Sequence, residues 1–226
     1  MRKLVMPLLA ACAALGLTAA PASAIIGGQT APDSYSWIVD LGHRDNGHGC
    51  GGGLIAPQWV VTAGHCLSGA EPGTEVRIGS NDRTTGGELI AVQATFHPAA
   101  GDIGLVKLAT PATAAPMRTG PMPAGGPIRL LGWGMDSTTN PTSPRLLKQL
   151  DTEVLGQCGP ANELCVKVST TDTACHGDSG TPATVDGSVV AVTSRGPIGT
   201  CGDGGFAIYT AIAPHQDWIN QTISTN

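Results

Sequence analysis

The sequence predicts an all-β protein, and three observations carry that reading. The 226-residue chain holds 32 glycines and 17 prolines but only 13% charged residues, a composition that suits many short strands joined by tight turns rather than long helices with charged faces. Its apolar residues fall in short runs bounded by Gly, Pro and Asn. Only one stretch, at the end of the chain, shows helical spacing. A chain of this length can bury a real core, as one sizeable all-β unit or two small domains.

Residues 1–24 stand apart from the fold. Arg2 and Lys3 form a charged start, residues 4–17 an apolar stretch, and Ala22-Ser23-Ala24 a small-x-small cleavage signal, the pattern of a secretion signal. The apolar run is too short and too rich in Ala and Gly to span a membrane, and no later segment approaches the roughly 20 residues that spanning needs. Leu9-Ala10-Ala11-Cys12 offers a second reading, a lipoprotein box that would leave Cys12 acylated. The apolar run before Cys12 would then be very short, and the hydrophobic stretch continues past it to the better site.

Along the rest of the chain, residues 36–41, 53–56, 59–62, 75–78, 88–95, 103–108, 128–132, 147–155, 164–167, 188–194 and 207–209 are the expected strands. Residues 212–223, with Pro214, Trp218, Ile219 and Ile223 at roughly helical spacing, are the expected helix. Residues 111–127, rich in Ala, Pro, Gly and Thr, read as a linker between a first half at about 25–110 and a second at about 128–226. Two packed six-stranded antiparallel barrels closed by a C-terminal helix fit this division, although no internal repeat dictates it.

Charge and cysteine usage narrow the function. The formal net charge is −5, and losing Arg2 and Lys3 with a segment that has no acidic residue moves it two units further negative. An acidic chain without a basic stripe is a poor fit to nucleic acid or an anionic membrane. Cys12 leaves with the signal, and Cys50, Cys66, Cys158, Cys165, Cys175 and Cys201 remain. An even number in an exported chain reads as three disulfides, with 15 pairings open on count alone. No C-x2-C pair occurs, and His43, His48, His97 and His215 lack ligand spacing, so no metal or other cofactor is expected.

Three stretches carry chemistry. "VVTAGHC" sets His65 just after a strand and beside Cys66. "GDIGLVKL" sets Asp102 at the mouth of an apolar strand. "CHGDSGTP" sets Ser179 among small residues that let backbone N–H groups approach a substrate carbonyl. Singly, each has a plainer reading: a structural histidine, a strand-end charge, and a turn, since Gly, Asp and Ser are all turn residues. Together they supply what an activated serine needs, namely a base to take the hydroxyl proton and a carboxylate to fix the base's tautomer. The order His, Asp, Ser separates the set from subtilisins and α/β-hydrolases, and Thr181 excludes a G-x-S-x-G elbow.

With these stretches, "IIGG" at 25–28, "GWG" at 132–134 and the terminal "APHQDWI", the chain resembles the chymotrypsin/trypsin family of serine endopeptidases over most of residues 25–226, and looks like one of its secreted bacterial members. The resemblance implies the two-barrel chymotrypsin-like fold with the site between the barrels. It implies His65 as general base and acid, Asp102 as its orienter, Ser179 as nucleophile, and the N–H groups of Gly177 and Ser179 as the oxyanion hole. It also implies disulfides Cys50–Cys66, Cys158–Cys165 and Cys175–Cys201, and support of Asp102 by Ser194. Protein or peptide substrates, a possible proteinaceous inhibitor and a monomer follow in the same way. Three positions depart from the family pattern. Gly64 replaces an Ala, Thr181 a Gly, and Arg195 a Trp that usually lines the cleft. A catalytically silent binding protein on this scaffold is the rival reading, although no triad position is lost.

The family also suggests why the secretion cut would fall before Ile25. A freed Ile25 amine turns inward and pairs with the aspartate before the nucleophile, Asp178, so export alone would complete the enzyme. Primary specificity would rest on Thr173, at the base of the pocket, with Ala174 beside it and Gly196 and Ala207 at its walls. Thr173 is neutral, which predicts apolar residues before the cut. Asp172 and Asp203 are near enough in sequence to favour basic residues instead, and Arg195 and His176 to favour acidic ones. Glu71, Glu75, Asp82 and Glu88 lie where some relatives hold calcium, but their spacing suits surface carboxylates better.

Overall fold

Val39, Leu54, Val60, Val76, Ile78, Ile90, Val92, Val106 and Leu108 come from six strands and meet in one apolar cluster, and this shared burial makes the first half of the chain close on itself. The computed structural model describes residues 25–44, 47–139, 142–159, 162–196 and 200–226; the expected signal segment lies outside them. Its strands are β1 (Gln29–Thr30), β2 (Ile38–Asp40), β3 (His43–Arg44), β4 (Gly47–His48), β5 (Gly51–Ala56), β6 (Trp59–Thr62), β7 (Glu75–Ile78), β8 (Glu88–Phe96), β9 (Gly104–Leu108), β10 (Gly126–Gly132), β11 (Lys148–Cys158), β12 (Glu163–Lys167), β13 (Pro182–Val185), β14 (Ser188–Arg195) and β15 (Phe206–Ala211).

The first barrel is closed and antiparallel in the order β2-β5-β6-β9-β8-β7. The second runs β11-β10-β13-β14-β15-β12 and closes where β12 pairs with β11. β1 adds to the free end of β11 through Gln29 and Thr30. Ile128, Leu130, Val154, Leu164, Val166, Val190 and Tyr209 fill this second barrel. The two-barrel, all-β architecture is therefore the one expected.

Three local differences have physical causes. β13 is absent from the expected strands because Pro182 opens it directly after the nucleophile turn; a proline is tolerated as the first residue of a strand, where its missing N–H matters least. β5 starts at Gly51 rather than residue 53, because Gly51 and Gly53 face the other barrel. A Cβ on Gly51 would meet Thr181 Cγ2, and one on Gly53 would come within 2.8 Å of Pro182 Cγ. Glycine there lets the barrels touch. The terminal helix α1 is Gln216–Thr225, starting later than residue 212 because Ala213–His215, with Pro214, form a tighter 3₁₀ turn first.

Two apolar seams lock the barrels together. Trp59, Val61, Ile103 and Leu105 of the first pack against Val189 and Val192 of the second, with Ile212 and Ile219 closing the end. Ile38, Leu131, Leu147 and the fully buried Trp133 form the other seam, and Trp133 Nε1 donates to Asn81 O at 3.1 Å. The segment between the barrels is tied to both, through Met117 N to Leu54 O and Gly120 N to Val189 O, each at 2.8 Å. At the start of the described chain Ile25 is fully buried with a positive φ of 52°. Trp133→Ala should remove about 3 to 5 kcal/mol of stability, a fall of roughly 10 °C in thermal midpoint for a domain of this size. A loss under about 1 kcal/mol by denaturant titration would show that this seam is not structural.

Candidate active site

A charge taken partly out of water needs hydrogen bonds, and Asp102, half-buried, is bonded from both barrels. Lying just before β9, it accepts at Oδ1 from the His65 backbone N–H (2.9 Å) and at Oδ2 from His65 Nδ1 (2.9 Å) and Ser194 Oγ (2.7 Å). Burial pushes the Asp102 carboxyl up, but the hydrogen bonds from the His65 ring, Ser194 and the His65 backbone outweigh it and hold the group down at about 2. An ionised Asp102 can only accept, so His65 Nδ1 carries the proton and Nε2 is left with its lone pair toward the cleft.

His65 sits in the 3₁₀ turn Gly64–Gly69 that follows β6. The Cys50–Cys66 disulfide fixes that turn to the start of β5. Both sulfurs lie within 4.8 Å of an imidazole nitrogen, the tightest group of metal-ligand atoms among the described residues. The bonded sulfurs have no thiolate to offer, so the group does not suit a metal. Of the carboxylates near the family's calcium region, Glu88 accepts from the N–H groups of Thr113 and Ala114. Asp82 bonds Thr84 and faces Arg145 at 3.3 Å.

The nucleophile turn hangs between the barrels. Gly51 N donates to Ser179 O at 2.8 Å, Gly180 N to Thr193 O at 2.8 Å, and Thr62 Oγ1 to Gly51 O at 2.8 Å. Asp178 beneath it is fully buried, accepting from Gly134 N at Oδ1 and Cys175 N at Oδ2, both at 2.8 Å. A Cβ on Gly134 would collide with this carboxylate, which explains the second glycine of "GWG". Thr181, where the family has Gly, is also fully buried, and its hydroxyl is satisfied by Asp178 O. In this turn the N–H groups of Asp178, Gly180 and Thr181 are engaged by backbone carbonyls. Among the described residues those of Gly177 and Ser179 are not, which leaves two donors for a developing oxyanion. Ser179 and His65 are not yet hydrogen-bonded to each other, as is common before substrate draws such a pair together.

Beside Ser179 lies a cavity of about 350 Å³ lined by Ala174, His176, Ser194, Arg195, Gly196 and Ala207, among others. The Cys175–Cys201 disulfide joins two of its walls. Thr173 is buried and does not line it; its hydroxyl donates to Ala174 O at 2.8 Å. The third disulfide, Cys158–Cys165, lies between β11 and β12. Glu163 was not singled out in the sequence, yet its carboxylate grips Arg195 through two bonds of 2.8 and 2.9 Å. The two residues are 32 positions apart, and no local pattern marks the pair.

The family profile described as Trypsin matches residues 25–219. The chain belongs to the trypsin family. A trypsin of Xenopus laevis is 32% identical across 98% of this chain and 100% of that protein. A trypsin of Sus scrofa is 31% identical across 89% and 96%, and Trypsin 5G1 of Aedes aegypti 30% across 87% and 84%. As a trypsin-family serine protease, the protein hydrolyses peptide bonds through an acyl-enzyme on Ser179, with His65 as base and Asp102 as its orienter.

A folded carboxyl held below its unfolded value stabilises the fold above the unfolded range near 3.9, and that contribution fades as pH falls through about 2. Ser194→Ala should therefore cost about 1 to 2 kcal/mol at pH 5, where Asp102 is ionised, and the gap to wild type should close toward pH 2. Urea titrations across that range read it. A gap that does not change with pH would mean that Ser194 does not act through the ionised carboxylate.

Proposed function

We propose that this trypsin-family protease is an endopeptidase that selects apolar side chains before the scissile bond. The observation that carries the reading is the cavity beside Ser179, whose walls include Ala174, Gly196 and Ala207 and which no carboxylate among the described residues lines. The two acids that could have made it select basic residues are engaged elsewhere. Asp172 is exposed and accepts from Ser169 Oγ and Thr171 Oγ1. Asp203 is exposed and accepts from Thr200 N in its own turn. The acidic alternative loses its main support as well, because Glu163 already pairs with Arg195.

In the reaction, a substrate side chain enters this cavity and brings its carbonyl over Ser179. His65 Nε2 takes the hydroxyl proton as Oγ attacks, and Asp102 stabilises the imidazolium that forms. The N–H groups of Gly177 and Ser179 receive the negative oxygen. His65 then hands its proton to the leaving amine, and water repeats the sequence on the acyl-enzyme. Ser179→Ala should leave the fold intact and lower kcat by at least about four orders of magnitude, with uptake of a serine-directed fluorophosphonate lost in parallel. Cleavage of a diverse peptide library should show Leu, Met or Phe before the cut, because each apolar contact contributes about 1 to 3 kcal/mol to discrimination. A profile dominated by Arg or Lys would overturn the apolar pocket, and Asp203→Ala would then test the nearest acid.

Family membership is consistent with an extracellular protein. Export by a signal cut after Ala24 rests on the N-terminal sequence, and a bacterial source on the motifs of residues 25–226; the relatives compared are animal proteins. The same cut would free the Ile25 amine and activate the enzyme without a separate zymogen stage. Support comes from the seating of residues 25–28, with Ile25 and Asp178 both fully buried and Thr173 N donating to Ile26 O at 3.0 Å. N-terminal sequencing of the exported protein should begin at Ile25. A start at Pro21 or an acylated Cys12 would overturn this route.

A further inference from the structure

Glu163 and Arg195 stand outside the three catalytic side chains yet are wired to them. Glu163 opens β12 and its side chain is only 8% exposed, whereas that of Arg195, at the end of β14, is half exposed in the wall of the cleft. β15 lies between these strands, and the arginine reaches across it. Nη1 and Nη2 meet the two carboxylate oxygens in a two-pronged pair, the geometry that fixes a guanidinium most firmly. Nη1 also lies 3.3 Å from Ser194 Oγ, the hydroxyl that donates to Asp102.

Donor counting gives this contact a direction. A guanidinium has only N–H donors, while a serine hydroxyl has one proton and two lone pairs. With Arg195 filling a lone pair, the Ser194 proton is left to Asp102 Oδ2. The arginine cation also favours the charged form of that carboxylate. We propose that Glu163 and Arg195 are positioning residues for the catalytic aspartate: Glu163 clamps the guanidinium, the guanidinium commits the Ser194 proton to Asp102, and Asp102 so held keeps His65 oriented. This rests on the His65–Asp102–Ser179 mechanism above. The family's Trp at this place would supply an apolar wall; Arg195 instead supplies a bond to Ser194, the hydroxyl that donates to Asp102.

The test pairs two variants with two readouts. Removing one charge would leave the other uncompensated, so Glu163→Gln/Arg195→Gln removes both, while Arg195→Lys keeps the cation and the ion pair but gives up the fork. The first readout is the pH midpoint of the low-field His65 Nδ1 proton by NMR, which needs no turnover and so stands even if the endopeptidase reading fails. The other titratable groups around the site are Asp178, His176 at the rim and His215, whose ring packs on Gly101; all stay unchanged.

The double variant should move the midpoint upward by roughly half a pH unit or more, because the cation nearer to Asp102 and its imidazolium is gone. It should also lower kcat roughly tenfold, the scale of one hydrogen bond to a charged group, with KM within about twofold of wild type. Arg195→Lys should keep the midpoint and lose part of kcat, and it carries the test alone if the double variant does not fold. An unmoved midpoint in the double variant, unchanged kcat in Arg195→Lys, or a change confined to KM overturns the proposal.

Discussion

One ionised carboxylate, held between two barrels, sets the terms for the structure around it. Asp102 belongs to the first barrel, and so do two of its donors, the backbone and ring of His65; the third, Ser194, comes from the second. Separating the barrels would take the Ser194 bond from this partly buried charge, and a desolvated charge short of a partner is costly, so barrel contact and the hold on the catalytic base are coupled. Catalytic order is thereby supported by the ordinary need to satisfy a partly buried acid.

The nucleophile follows a similar logic with a second acid. Asp178 lies under the Ser179 turn and takes N–H groups from Gly134 and Cys175, while the turn above is held to the first barrel through Gly51. Ser179 is thus positioned by backbone bonds, and among the described residues its own N–H and that of Gly177 meet no backbone carbonyl. The disulfides act at the edges of this frame, Cys50–Cys66 beside the base and Cys175–Cys201 in the wall of the cavity.

Chemistry was more legible in the sequence than geometry. His65, Asp102 and Ser179 could be read because each sits in a short stretch whose small neighbours and order leave few other uses. Most strands were legible for the same local reason, apolar runs closed by turn residues. β13 was hidden by Pro182, whose strand role depends on pairing with β10 and β14. The later start of α1 was set by a tight turn over the buried end of the fold. Thr173 illustrates a different limit: its place in the motif was readable, but its burial outside the lining of the cavity was not. Glu163 was invisible because its meaning comes from reaching Arg195 across an intervening strand.

The buried Ile25 has a consequence for the peptide bond in front of it. A positive φ in a β-branched residue is a strained conformation, on the order of 1 to 3 kcal/mol. The dihedral φ exists only while a peptide bond joins Ile25 to a residue before it. A chain that began at Ile25 would carry an ammonium free to rotate about N–Cα, so this constraint would lapse while the full burial of the isoleucine side chain remained. The strain would then belong to the joined chain alone, and a new terminus would be the easier one to seat.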